Sequence, residues 1–227
     1  MREFSTAEAL AEALAEAVAA ALTARLARDA TAALAVSGGQ TPVRFFKALS
    51  AKTLDWQRVT VTLVDERWVD AASPRSNAGL VREHLLQGPA AKAAFVPLVN
   101  DAATPQAGVG AVEAAIRALP LPFAAAVLGM GADGHTASFF PGADRLAEAL
   151  APDHGQLVEC LNAAAAVEPR ISLTLPVLLA AEFLAVHIEG ADKRAVLDKA
   201  RLAGPVAELP IRAVLARHPA PEIFWCP

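Results

Sequence analysis

The sequence is short of cysteine, of basic charge and of long apolar runs, and each shortage removes a class of function. Its 227 residues hold two cysteines, Cys160 and Cys226, which are far apart and fit no metal or redox spacing. They read as free thiols in a reducing compartment. Twenty Lys plus Arg stand against 24 Asp plus Glu, a net charge of −4, so the chain lacks the basic field that binds nucleic acid. Any anion site must be local, made by a few placed cations and backbone amides. No segment reads as a signal or a membrane span. Glu8, Glu12 and Glu16 recur every fourth position in the Ala-rich N-terminal stretch, which gives one wet helical face rather than an apolar signal core. The run 176–188 is interrupted by Glu182 and His187 and is too short to cross a bilayer. A soluble, cytoplasmic protein is expected. Familiar catalytic signatures are missing as well: no Gly-Lys-Ser/Thr ends a phosphate loop, no Gly-x-Ser-x-Gly forms a nucleophile elbow, and no His-x-x-x-His or cysteine cluster suggests zinc. Acid–base work without metal or cofactor is the chemistry left.

What is present is a 55% hydrophobic chain without linker, repeat or composition break, expected to form one domain over 1–227. Ser5 followed by Glu8 is a capping-box spacing for a first helix to about residue 28. Short apolar runs at 31–36, 59–64, 94–96 and 124–128 read as strands, as do 157–160, 171–175, 183–188 and 223–226. Thr41 and Pro42 suit an N-cap and first position for a helix to residue 49, and further helices are expected at 77–86, 106–119 and 192–201. Strands alternating with helices predict an α/β fold, a three-layer α/β/α sandwich with a mainly parallel, Rossmann-like sheet. In such sheets ligands sit beyond the carboxyl ends of the strands. The loops after residues 36, 64 and 128 should therefore share one edge.

Those loops carry the candidate chemistry. Ser37-Gly38-Gly39-Gln40-Thr41-Pro42 feeds a helix N-terminus, where exposed amides suit a phosphate, although an ordinary strand-to-helix turn also needs glycine. Asp65-Glu66-Arg67 places two carboxylates and a guanidinium at a strand end. Arg67 could clasp a phosphate or carboxylate and Asp65 or Glu66 could bond sugar hydroxyls, while a solvated charge cluster would look the same. Ser76-Asn77 fits either polar contacts or a helix cap. Gly129-Met130-Gly131-Ala132-Asp133-Gly134-His135 formally contains Gly-x-Gly-x-x-Gly. Pro141-Gly142 stops any helix too early for a dinucleotide site, and pyrophosphate binding requires neither Asp133 nor His135. The His135 imidazole can move a proton near neutral pH. His84, His154 and His218 show no partners in sequence, and His187 reads as a core or edge strand residue. Arg170 opens a strand. Lys193 sits in the first turn of a helix, mildly unfavourable for the helix dipole unless an anion is bound nearby.

Taken together, these blocks resemble the 6-phosphogluconolactonases, of the glucosamine-6-phosphate isomerase/6-phosphogluconolactonase family. The resemblance rests on Ser37-Gly38-Gly39-x-Thr41-Pro42, on Asp65-Glu66-Arg67-Trp68-Val69 with Ser76-Asn77, and on Gly129-x-Gly131-x-Asp133-Gly134-His135-x-Ala137-Ser138-x-Phe140-Pro141-Gly142. Arg170-x-Ser172-x-Thr174-x-Pro176 and Gly190-x-x-Lys193 complete it. It implies a NagB/RpiA/CoA-transferase-like fold and hydrolysis of 6-phosphoglucono-δ-lactone to 6-phosphogluconate in the oxidative pentose phosphate pathway. By the same resemblance His135, oriented by Asp133 or a nearby carbonyl, acts on water. Ser37, Gly38, Gly39, Thr41, Asp65, Glu66, Arg67, Asn77, Gly131, Arg170 and Lys193 contact the substrate. No cofactor and no metal are implied, and the expected partner is a small sugar phosphate, with the chain a monomer or weak homodimer. The related glucosamine-6-phosphate deaminases carry a glutamate where this chain has Phe140 and usually an aromatic residue where it has Arg67, and both departures favour the lactonase. A sugar-phosphate-sensing module without turnover is the third reading. No helix-turn-helix candidate with a basic recognition helix accompanies it here.

Overall fold

In the computed structural model, which describes residues 1–227, the chain opens with a two-residue strand, β1 (Arg2–Glu3), and a long helix, α1 (Ala7–Leu26). Thr6 caps α1, its hydroxyl accepting from the Ala9 amide at 3.1 Å, one residue beyond the Ser5 that the spacing favours. Leu10, Leu14, Val18 and Leu22 form the buried stripe of α1, with Ala11, Ala15 and Ala19 beside them. The small alanines let α1 pack closely on α2 (Val43–Ser50), which contributes buried Phe45, Phe46 and Leu49. Cutting one of these leucines to alanine costs about 2–5 kcal/mol.

Between the two helices runs β2 (Ala32–Val36), all five residues buried, the mark of a strand covered on both faces. The remaining elements are β3 (Val59–Leu63), β4 (Asp65–Arg67), α3 (Asn77–His84), β5 (Ala94–Val96), α4 (Pro105–Arg117) and β6 (Ala125–Gly129). Then come α5 (Leu146–Leu150), β7 (Val158–Leu161), β8 (Arg170–Leu173), α6 (Leu175–Leu179), β9 (Phe183–Glu189), α7 (Ala191–Ala200), α8 (Ile211–Leu215) and β10 (Glu222–Cys226). Seven strands make one wholly parallel sheet in the order β1-β10-β9-β6-β2-β3-β5. From β2 the chain builds outward through β3 and β5, then returns to the other side of β2 with β6. The gap between β2 and β6 is thus the switch point, where parallel sheets bind ligands.

Three strands depart from the expected single sheet. β4, β8 and β7 form a separate antiparallel sheet in that order. The transfer happens at Val64, whose amide still bonds to the Val36 carbonyl of the main sheet at 2.9 Å. Its own carbonyl accepts from Leu173 at 2.8 Å. Residues 162–169 between β7 and β8 are too few for the crossover that a parallel pair needs. β8 also ends at Leu173 rather than residue 175, because Pro176 occupies the first turn of α6, where its missing N–H removes no helical bond. Cys160 and Cys226 are both free and buried, and burial pushes the Cys160 thiol up to about 11, so it is not a thiolate nucleophile at neutral pH.

Candidate active site

The loops after β2 and β6 meet at the switch point and line a cleft of about 330 Å³. They are stitched together there: the Ser37 hydroxyl accepts from the Gly129 amide at 3.1 Å. Gly38 has to be glycine, since a Cβ would stand 2.0 Å from Asn77 Oδ1. Asn77 is itself fixed by donating from Nδ2 to the Asp65 carbonyl at 2.9 Å. Thr41 does not cap α2 as expected. Pro42 takes the cap position without a side-chain bond, and the Thr41 hydroxyl instead stands 3.5 Å from Lys193 Nζ. The amides at the start of α2 are left without a side-chain acceptor.

No helix follows the glycine motif of the β6 loop. Thr136 and Phe139 form a single bridge, Ala137 lies in the left-handed region at φ 50°, and the Thr136 hydroxyl donates to the Gly129 carbonyl at 2.7 Å. This tight turn presents His135 to the cleft. The Asp133 carboxylate lies 2.5 Å from His135 Nδ1, and this bond holds the Asp133 carboxyl below its usual range. A proton on Nδ1 completes this bond, and in the neutral form of that tautomer the lone pair is on Nε2. The ring stacks on Phe140 at 4.2 Å between centroids. A Cβ on Gly131 would come within 2.2 Å of the imidazole, so glycine there makes room for it.

The cationic side comes from the second sheet and from α7. Arg170 on β8 is 7% exposed. Its Nη1 is 3.9 Å from Asp65 Oδ2, its guanidinium lies 5.3 Å from the Phe140 ring centre, and its buried Nε has no partner. Burial lowers its pKa, favouring loss of a charge that arginine does not readily give up. Arg67 donates from Nη1 to the Arg75 carbonyl at 2.6 Å, and its buried Nε is likewise unpartnered. Asp65, which also accepts a 2.6 Å bond from the Ser138 hydroxyl, stands near Arg170 without a direct hydrogen bond to it. Lys193, half-buried, has its pKa lowered by desolvation.

Of the expected catalytic and substrate-contacting residues, all but Glu66 and Asp133 line this one cleft, and Asp133 reaches it through His135. Glu66 is placed elsewhere. It is 1% exposed, and its carboxylate accepts from the amides of Arg67, Asn77 and Ala78 at 2.7–2.9 Å and from the Ser76 hydroxyl at 3.2 Å. That makes it the anchor of the α3 N-terminus, which Ser76 also caps through the Gly79 amide. Burial pushes its carboxyl up against these opposing bonds. His187, read from sequence as a core or edge residue, is a buried wall of the cleft on β9, opposite Gly129 in the parallel register. The signal was available: a polar residue near the carboxyl end of a parallel strand points toward the ligand edge. His154 Nε2 lies 3.0 Å from the Glu159 carboxylate on β7, away from this cleft, without a hydrogen bond of good geometry to it.

Comparison with known proteins agrees with this geometry. The family model of glucosamine-6-phosphate isomerases/6-phosphogluconolactonase matches residues 5–225. A 6-phosphogluconolactonase of Mesorhizobium japonicum is 54% identical over 89% of this chain and 84% of its own length. One of Rhizobium meliloti is 49% identical over 100% of this chain and 98% of its own. Among solved structures, a 6-phosphogluconolactonase from Shewanella baltica superposes with a TM-score of 0.96 at 40% identity, covering 100% of this chain and 97% of that one. The chain belongs to the glucosamine-6-phosphate isomerase/6-phosphogluconolactonase family.

Proposed function

We propose that the protein is a 6-phosphogluconolactonase that hydrolyses 6-phosphoglucono-δ-lactone to 6-phosphogluconate with His135 as general base. The carrying observation is an Asp133-oriented imidazole that shares one cleft with buried Arg170 and half-buried Arg67, each with an unpartnered Nε. A buried donor without an acceptor is costly, and an anionic ligand supplies one. Lys193, the Thr41 hydroxyl and the amides at the start of α2 take the phosphate, while Arg67 and Arg170 hold further phosphate or sugar oxygens. Fixing the remote phosphate positions C1 against the imidazole, so binding energy contributes to rate.

In the first step His135 Nε2 takes a proton from water as the water oxygen bonds to C1, and the carbonyl π pair moves onto its oxygen. In the second that pair returns, the bond from C1 to the ring oxygen breaks, and the imidazolium gives its proton to the departing oxygen. The new carboxylic acid then ionises in solvent. Asp133 keeps the reactive tautomer in place and steadies the imidazolium. Phe140 packs against the ring where an isomerase would need a second acid, which supports hydrolysis over deamination. The test is coupled turnover of freshly generated lactone with spontaneous hydrolysis subtracted. Enzyme-dependent loss of lactone is expected; binding without turnover would assign a sensing module instead.

A further inference from the structure

No residue after Lys193 lines the cleft, yet the segment 199–212 reaches the turn that carries His135. The Ile211 amide, first in α8, donates to the Gly134 carbonyl at 3.0 Å. An amide that opens a helix has no partner within it, so this one is available to hold the turn. Gly134, at φ 77°, lies flush against Leu209: a Cβ on it would stand 2.5 Å from Leu209 Cδ2 and 3.2 Å from Leu209 Cα. Leu209 and Ile211 are both buried. The carbonyl that Ile211 holds belongs to the same peptide as the His135 N–H, which donates to Asp133 Oδ1 at 3.1 Å. One planar unit is thus fixed at its oxygen from α8 and at its nitrogen from Asp133. The His135 carbonyl accepts in turn from the Gly131 amide at 2.9 Å. The imidazole therefore leaves from a backbone that turns only by breaking one of these bonds.

The same segment is tied to the cationic side. Lys193 sits in the first turn of α7, and the carbonyls of Lys199 and Ala200 stand at the other end of that helix, where carbonyls lack helical donors. Arg212 on α8 meets them with Nη2 and Nε, both at 3.4 Å, and donates from Nη1 to the Pro205 carbonyl at 2.8 Å. Its side chain is 9% exposed, and Gly204 passes so close that a Cβ there would stand 2.6 Å from Nη2. Residues 201–208 are exposed, so little apolar burial sets their path, and the Arg212 bonds do so instead.

We infer that residues 199–212 form a brace between α7 and the catalytic turn, with Leu209 and Arg212 as positioning residues that set His135 at the right distance from Lys193. This rests on the proposed roles of His135 as general base and Lys193 as phosphate ligand. Once the phosphate is anchored, the imidazole has to meet C1 at a fixed place, and a misplacement of roughly 1 Å costs about 10²-fold in rate. Binding a phosphate alone makes no such demand.

The experiment measures kcat for the lactone, inorganic phosphate affinity by titration calorimetry and Tm, with turnover assayed well below each Tm. The proteins are wild type, Leu209→Ala, the milder Leu209→Val, the conservative Leu209→Met, Arg212→Met, the Leu209→Ala/Arg212→Met double variant and His135→Ala. Leu209→Ala and Arg212→Met should each lower kcat by about 10–100-fold while phosphate affinity stays within about twofold. Leu209→Met should recover most of the rate, since it keeps the side-chain volume. The double variant should lose little more than the worse single one, because both act through one brace; independent lesions would multiply. Should Leu209→Ala fail to fold, Leu209→Val carries the same comparison with a smaller loss. Wild-type kcat in the brace variants, with His135→Ala inactive, would overturn the inference alone, as would a fall in phosphate affinity equal to the fall in kcat. Full turnover by His135→Ala would instead overturn the catalytic role of the imidazole.

Discussion

The two sides of the cleft differ in how completely the chain satisfies its own polar groups. On the glycine-loop side His135 is bonded to Asp133, Thr136 to the Gly129 carbonyl and Ser138 to Asp65. On the cationic side Arg67 and Arg170 keep buried, unpartnered Nε atoms, and Lys193 has a single hydroxyl neighbour. A protein built only for stability would have given these buried Nε donors acceptors. On the proposed function, the imidazole is oriented before a ligand arrives and the unmet donors of the second side are completed by an anion.

The contrast breaks most visibly at His135. His135→Ala should lower turnover by about 10²–10⁴-fold while 6-phosphogluconate affinity stays within a few-fold. Normal turnover in the coupled assay would remove the imidazole from the mechanism. Arg170→Met tests the other side. Charge-assisted hydrogen bonds contribute about 1.5–3 kcal/mol, so product affinity should fall about 10–100-fold. A lower Tm with unchanged affinity would make Arg170 structural.

Glu66→Gln should behave in the opposite way. Losing part of a buried carboxylate network costs about 1–3 kcal/mol, seen as a Tm lower by about 2–4 °C per kcal/mol, with product affinity retained. Weakened product binding at unchanged Tm would return Glu66 to the substrate. The smallest effects concern pH. Because burial lowers the Lys193 pKa, phosphate affinity should decline on the alkaline side before an ordinary lysine would titrate, and Lys193→Arg should abolish that decline. Asp133 works in the other direction. Its carboxyl is depressed by His135, so its contribution to stability is complete above the ordinary carboxylate value and is lost only as pH falls through the lower native one. Asp133→Asn should therefore be less stable than wild type above that acid window and converge with it below, the two stability slopes differing only within the window.

Most of the main sheet was legible because buried parallel strands read as apolar runs, as β2 and β6 do, or as runs of β-branched residues, as β3 does. The second sheet was not, since nothing in the composition around Val64 marks a strand that leaves one ladder for another. The loop residues that line the cleft were readable from glycine spacing and strand ends. Glu66 was misplaced because a carboxylate beside a cation reads as a ligand contact, whereas its lone pairs serve the amides opening α3, ten and more residues away in sequence. His187 was hidden by the apolar strand around it. Thr41 was assigned to a cap that Pro42 occupies, and the cleft shows why it is still polar.

The most direct measurement is a crystal structure of the protein with 6-phosphogluconate bound. The product's carboxylate carbon should lie beside His135 Nε2 and its phosphate on Lys193 and the start of α2, with Arg67 or Arg170 Nε newly bonded to the ligand. A phosphate seated against His135, or a ligand that leaves both guanidinium Nε atoms unpartnered, would contradict the division of labour between the two sides of the cleft.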